Sequence, residues 1–127
     1  MRKLSTTIKQ SKELLNIGIH PKSASLSFHR GELEYMAYDE CVDKYKDEVL
    51  PSFTLNDLIN LLPQTITTDI DFYLLHITKD YASYSSIDRV FINVGKSKDE
   101  DLIDVIVELL LKLNDNKKLN YLNEEKI

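Results

Sequence analysis

The sequence predicts an α+β fold: one domain spanning residues 1–127, with a mainly antiparallel sheet of about four or five strands and three principal helices. Three observations carry this expectation. Helical and strand-like segments are segregated along the chain instead of alternating, which separates the α+β class from the α/β class. The links between strand-like segments are short and hairpin-like, so neighbouring strands run antiparallel. All six glycines and prolines (Gly18, Pro21, Gly31, Pro51, Pro63 and Gly95) lie between periodic segments. Glycine's access to positive φ and proline's missing donor suit both residues to element ends.

Thr7 and Gln10 have the spacing of a capping box, in which each side chain reaches the other's orphan backbone N–H. The helix they open ends at Gly18, with Ile19 folding back onto its last turn. Residues 23–28 then alternate small polar with apolar side chains, the period of a half-buried strand. His29-Arg30-Gly31-Glu32 reads as a turn, and residues 33–38 return as the second strand of a hairpin. Residues 39–49 support two readings. Val42, Tyr45 and Val49 at helical spacing, with Asp39 as a cap, favour a short helix, whereas Pro51 and seven charged residues allow an exposed loop. The next helix, 55–62, is capped by Thr54 with Asp57 three residues on, and is stopped by Pro63. Phe53 and Leu58 flank that cap at the spacing of a hydrophobic staple, and Leu55, Leu58, Ile59 and Leu62 form its apolar face.

Three strands are expected at about 70–79, 82–87 and 89–94. In the first, Phe72, Leu74 and His76 share one face and Tyr73, Leu75 and Ile77 the other. Both faces are largely apolar, which predicts a central strand covered on both sides. Ser97-Lys98-Asp99-Glu100 has capping-box spacing and opens a final helix running to about Asn114; the polar tail 116–127 is expected to fray.

That final helix carries more apolar surface than one sheet requires. Its polar positions Asp101, Asp104, Glu108, Lys112 and Asp115 fall within about 80° at ~100° per residue. The apolar positions sweep roughly 240°, against the stripe of about 100° that a surface helix needs. Two readings follow. The helix lies between the sheet and the first two helices, or its second face, with Ile103, Val107, Leu110 and Leu111, is an interface to another protein or to a second copy, a homodimer through the 98–114 helix. Tyr73, Tyr81 and Tyr84 join the candidate interface residues, because rigid amphipathic rings suit protein contacts; the alternative is aromatic packing within the sheet.

Composition narrows the function classes. The 127 residues hold 16 basic and 21 acidic side chains, for a net charge of −5. A single cysteine excludes an intrachain disulfide framework and an all-cysteine zinc site. There is no GxGxxG or GxxxxGK[ST] phosphate loop. No apolar run approaches the ~18–20 residues needed to cross a bilayer, and the opening residues lack the apolar core of a secretion signal. A soluble, cytoplasmic protein is therefore expected, with no membrane role.

No catalytic, metal-ligating or cofactor-binding residue is assigned. His20, His29 and His76 form no HxH, HxxxH or HExxH pattern, and Cys41 has no CxxC partner. His76 lies among apolar positions and reads as a structural histidine. Asp39, Glu40 and Asp43 surround Cys41 with negative charge, which raises a thiol's pKa. No GxSxG elbow is present, and Asp99-Glu100-Asp101 fits a helix's first turn. An enzyme or ligand-binding domain would have to assemble its site from scattered residues around the 70–79 strand, such as His76, Tyr73 and Asp71. A third class is a nucleic-acid accessory protein. Residues 1–12 carry Arg2, Lys3, Lys9 and Lys12 and no acid, so that arm is +4 and the remainder −9. Four charges give weak, salt-sensitive attraction to phosphates, which the acidic body opposes, so nucleic acid is not the expected partner.

Gln10-Ser11, Leu14, Gly18-Ile19, Pro21 and Ser23-Ala24, then Phe53-Thr54-Leu55, Leu58-Ile59 and Leu62-Pro63, then an amphipathic closing helix, form a recognisable order. In this the chain resembles small proteins carried by Bacteroidales prophages and conjugative elements, over nearly its whole length. Many relatives have Trp where Phe53 stands, and often a Trp-rich closing helix that this chain lacks. The shared positions are caps, turns and core residues. The resemblance implies a bacterial mobile-element origin and an α+β fold, and names no active residue. Together these readings lead to the expectation of a non-catalytic accessory protein acting through protein–protein contacts.

Overall fold

In the computed structural model, which describes residues 3–115, the elements follow one another as α1 (Ile8–Asn16), β1 (Leu26–His29), β2 (Glu32–Glu34), α2 (Tyr38–Tyr45), β3 (Val49–Ser52) and α3 (Leu55–Leu61). Then come β4 (Thr65–Thr67), β5 (Phe72–Ile77), β6 (Tyr81–Ser85), β7 (Val90–Gly95) and α4 (Leu102–Asp115). The class is α+β with antiparallel pairing throughout, as the sequence predicts. The strands divide between two sheets, ordered β2-β1-β3 and β4-β5-β6-β7. The expected fraying of 116–127 lies outside the described residues.

The first half forms where local stereochemistry dictates it. Thr7 and Gln10 make both hydrogen bonds of the capping box at the start of α1. At its end Gly18 takes φ 98°, and the Ile19 N–H reaches the Leu14 carbonyl at 3.1 Å, turning Ile19 into the core. Between β1 and β2, Arg30 and Gly31 both hold positive φ (53° and 81°), the two-residue turn whose twist matches a hairpin. Of the two readings for 39–49, the helix is present as α2. It starts one residue before Asp39, at an Ala37 cap with no side-chain hydrogen bond, and Val49 belongs to β3 instead. β3 is an edge strand, the position that tolerates Pro51 and its missing N–H.

α3 is tied to the three-stranded sheet through one carboxylate. Asp57 closes a capping box with Thr54, and it also accepts from the Ser25 N–H (2.7 Å) and the Ser25 hydroxyl (2.6 Å). The N-terminal arm is latched beside it. Thr6 exchanges hydrogen bonds with Phe53, and Ser52 donates to Ser5 (2.7 Å) and to the Thr6 carbonyl (2.9 Å), all buried.

The four-stranded sheet departs from expectation at β5. This strand is interior in the sheet, yet only the face of Tyr73, Leu75 and Ile77 is covered, while Phe72, Leu74 and His76 are exposed. The reason is the placing of α4. It packs on one face of β6 and β7, with α3 and α1 on its far side, and no element lies on the outer face of the sheet among the described residues. α4 also starts later than its apparent capping box. Ser97 and Glu100 form a turn (Ser97 N–H to Glu100 Oε1, 2.8 Å), and the helix itself is opened by Asp101 and Asp104.

Both sides of α4 are thus covered within the chain. Its buried side chains are Ile103, Val105, Ile106, Val107, Leu109, Leu110 and Leu113. The polar stripe meets the N-terminal arm: Asp104 accepts from Lys3 Nζ and from Gln10 Nε2 (2.7 Å), and the Lys3 N–H donates to Asp101. Burial works against the ionised Asp104 carboxyl. Hydrogen bonds from Lys3, the Asp101 N–H and Gln10 outweigh it, leaving the pKa below the usual carboxylate value. A depressed folded-state pKa contributes stability that is complete above the unfolded value of about 3.9 and is lost as pH falls through the folded value. Acid unfolding followed by circular dichroism is therefore expected to show a loss of stability below about pH 4, shared with the other depressed carboxylates Asp47 and Asp71, that Asp104→Asn makes measurably shallower.

Tyr84 secures the opposite face of α4. It is fully buried, its hydroxyl donates to the Pro63 carbonyl at 2.6 Å, and burial pushes its pKa far above that of a free phenol. Tyr84→Phe leaves that carbonyl without its donor and is expected to cost about 1–3 kcal/mol in urea unfolding, with an unchanged slope.

Candidate functional site

The residues picked out as an interface fall in three places. Ile103, Val107 and Leu110 are buried inside the chain and Leu111 is half-buried against the core, so the last helix offers no free apolar face for a homodimer. Tyr73 is buried with its ring centroid 5.2 Å from that of Phe91, and Tyr84 is the donor to Pro63. Tyr81 alone of the three tyrosines is exposed. The scattered-site alternative does not assemble either. Tyr73 and His76 are three residues apart on β5 and so lie on opposite faces. Asp71 is held at the sheet's end, accepting from the Ser86 hydroxyl (2.7 Å) with Arg89 4.0 Å away. Those contacts, Ser86 first, keep its pKa low.

A polar cluster that the sequence does not announce sits at the β1–β2 hairpin. His29 stacks on Tyr45 with ring centroids 3.7 Å apart, and its Nε2 lies 3.3 Å from Asp47. Arg30 reaches the same Asp47 oxygen at 3.4 Å, and the Tyr45 hydroxyl donates to Glu34 at 2.8 Å. Asp47 lies 18 positions beyond His29, too far for any local pattern to link them. A cleft of about 390 Å³ opens beside this cluster, lined by Ile8, Phe28, Arg30, Gly31, Asp47, Glu48 and Leu50. None of those residues carries a hydroxyl, thiol or amine nucleophile, and the only candidates are the carboxylates of Asp47 and Glu48. The Glu48 N–H, then His29 and Arg30, lower the Asp47 pKa, so its carboxylate is stabilised in the charged form and makes a poor base. Cys41 is no better placed: it is buried, and burial first, with Glu34 in place of the expected Asp39, Glu40 and Asp43, pushes its thiol pKa up. Among the described residues no group of three or more His, Cys, Asp or Glu is placed to hold a metal ion, and no helix is long and apolar enough to cross a membrane.

The outer face of the four-stranded sheet is different in kind. Eight large apolar side chains are exposed among the described residues, and six belong to this sheet and its turns: Ile70, Phe72, Leu74, Tyr81, Ile87 and Val90. Antiparallel register lines the face up in rows, Thr65–Leu74–Ser85 and His76–Ser83–Asn93. The β4–β5 and β6–β7 turns meet at one end, joined by the Asp71–Ser86 hydrogen bond. From these two tips Ile70 (70% exposed) and Ile87 (102%) project beside Val90 (66%), forming an apolar lip. Each fully exposed side chain of this size forgoes about 1.5–3 kcal/mol of burial. Six exposed side chains of this size on one sheet, with His76, Ser83, Ser85 and Asn93 between them, make it the candidate interaction surface of the described residues. The apolar alternation on both faces of β5 is the signal for it, misread as burial on both sides.

Compared with models of known protein families, with curated proteins and with solved structures, the chain matches none.

Because Phe72, Leu74 and Ile87 support no core contact of their own, replacing each by Ser is expected to change unfolding free energy by no more than about 0.5 kcal/mol. The triple variant should bind an environment-sensitive hydrophobic dye measurably less than the wild type. A large destabilisation instead would mean that these side chains are buried in solution.

Proposed function

We propose that the protein is a non-catalytic accessory protein of a bacterial prophage or mobile element, working in the cytoplasm by docking the open face of its four-stranded sheet onto another polypeptide chain. The gathering on that one sheet of six of the eight large apolar side chains exposed among the described residues carries the reading. The mobile-element setting rests on the resemblance of the opening and middle motifs. A catalytic reading has less support, since Tyr73 and His76 lie on opposite faces of β5 and the hairpin cleft offers no hydroxyl, thiol or amine nucleophile. A nucleic-acid reading also has less, because Lys3 of the basic arm is engaged with Asp104 and Ser5 pairs with Thr54.

A photo-crosslinking amino acid at position 72, on the open face, and another at position 12, on the exposed side of α1, test this in the bacterial cytoplasm. A discrete protein adduct is expected from position 72 alone, and it should be lost when Ile87→Ser is added. Equal labelling from both positions, or none from position 72, would overturn the docking surface.

A further inference from the structure

None of the residues of β4, β5, β6 and β7 is Asp, Glu, Lys or Arg, so the open face carries no fixed charge of its own. Charge is confined to its two ends, and the ends differ in sign. At the apolar lip, Asp71 is balanced by Arg89, leaving Asp69 and Asp88 exposed. At the other end the β5–β6 turn meets the end of β7, where the Lys96 N–H donates to the Asp80 carbonyl at 2.7 Å. Lys79 and Lys96 flank Asp80 there, a surplus of one positive charge, before the chain leaves toward α4 through Lys98, Asp99 and Glu100.

Resting on the docking reading above, we propose that the chain docked on this face is a second copy of the protein. The two sheets stack face to face with their strands reversed, related by a twofold axis that lies between the sheets and across the strands. This arrangement sets Asp69 and Asp88 of each copy against Lys79 and Lys96 of the other, and lays each apolar lip over the opposite copy's exposed Tyr81. Stacking with the strands parallel would set the two acidic ends against each other, so the charge pattern selects the reversed orientation. The contact is isologous and closes at two copies, with the geometry of an aligned sandwich. Strands of three to six residues at ~3.3 Å, four abreast at ~4.8 Å, give a face of at most roughly 20 by 14 Å. At roughly 280 Å² that is about a third of the usual ~800 Å² per partner, so the dimer is weak and reversible.

Sedimentation equilibrium of the full chain across about 1–500 µM is expected to show a monomer–dimer equilibrium. Asp69→Lys with Asp88→Lys should weaken it about tenfold or more, and so should Lys79→Glu with Lys96→Glu. Combining all four reverses both ends and should restore the wild-type Kd to within about threefold. All four positions are exposed, and circular dichroism with thermal unfolding establishes that each variant is folded. A dimer indifferent to the charge reversals, or one that the fourfold variant fails to restore, overturns the proposal. So does a chain that stays monomeric throughout. In that case an adduct between position 72 and a different polypeptide leaves the docking surface standing with another occupant, whereas the absence of any adduct removes both.

Discussion

A helix that is apolar around most of its circumference needs cover on two sides, and α4 sets that requirement for the rest of the molecule. Ile103, Val105, Ile106, Val107, Leu109, Leu110 and Leu113 are all buried, each contributing about 1.5–3 kcal/mol of apolar transfer. The four-stranded sheet supplies one wall and α3 with α1 the other. What remains is a narrow polar stripe, and it serves to clasp the N-terminal arm through Asp101 and Asp104. One consequence reaches the surface. With α4 and its covering helices all on one side of the sheet, the opposite face has nothing from the described residues to cover it, and the exposed apolar side chains collect there.

The elements legible in the sequence were those whose signals are local. Thr7 with Gln10, Thr54 with Asp57, Gly18 and the Arg30-Gly31 turn depend on residues within a few positions of one another. β3 and β4 have four and three residues, too few for a period to show, and β3 contains a proline. Whether α4's surplus apolar surface faced the chain's own helices or another molecule was open, because periodicity measures how much is buried and is silent about what covers it. β5 shows the same limit from the other direction. Phe72 and Leu74 looked like core residues, and they are instead the centre of the candidate site. Ile70 and Ile87 gave no signal at all, since their importance comes from two turns meeting at one end of a sheet.

The polar side chains are occupied structurally. Among the described residues no buried side-chain nitrogen or oxygen lacks a hydrogen-bond partner. Asp57 holds a helix start and Ser25 together, Thr6 accepts from the Phe53 N–H while its hydroxyl pairs with Ser11, and Ser27 donates to the Met36 carbonyl. Buried polar networks satisfied in this way specify one packing arrangement over its alternatives. The surface most readily assigned to function is accordingly the one that has few charges and little to satisfy.

The latch at the N-terminal arm has a consequence for synthesis. Lys3 contacts Asp101 and Asp104, about a hundred positions away, and Ser5 and Thr6 contact residues 52–54. On the ribosome the arm emerges before its partners, the last of which emerges with α4. A nascent chain that has made α1 and the three-stranded sheet still lacks the helix against which its apolar surfaces close. Folding of the core is therefore completed only after α4 has left the exit tunnel, and until then the apolar surfaces that it covers stay open.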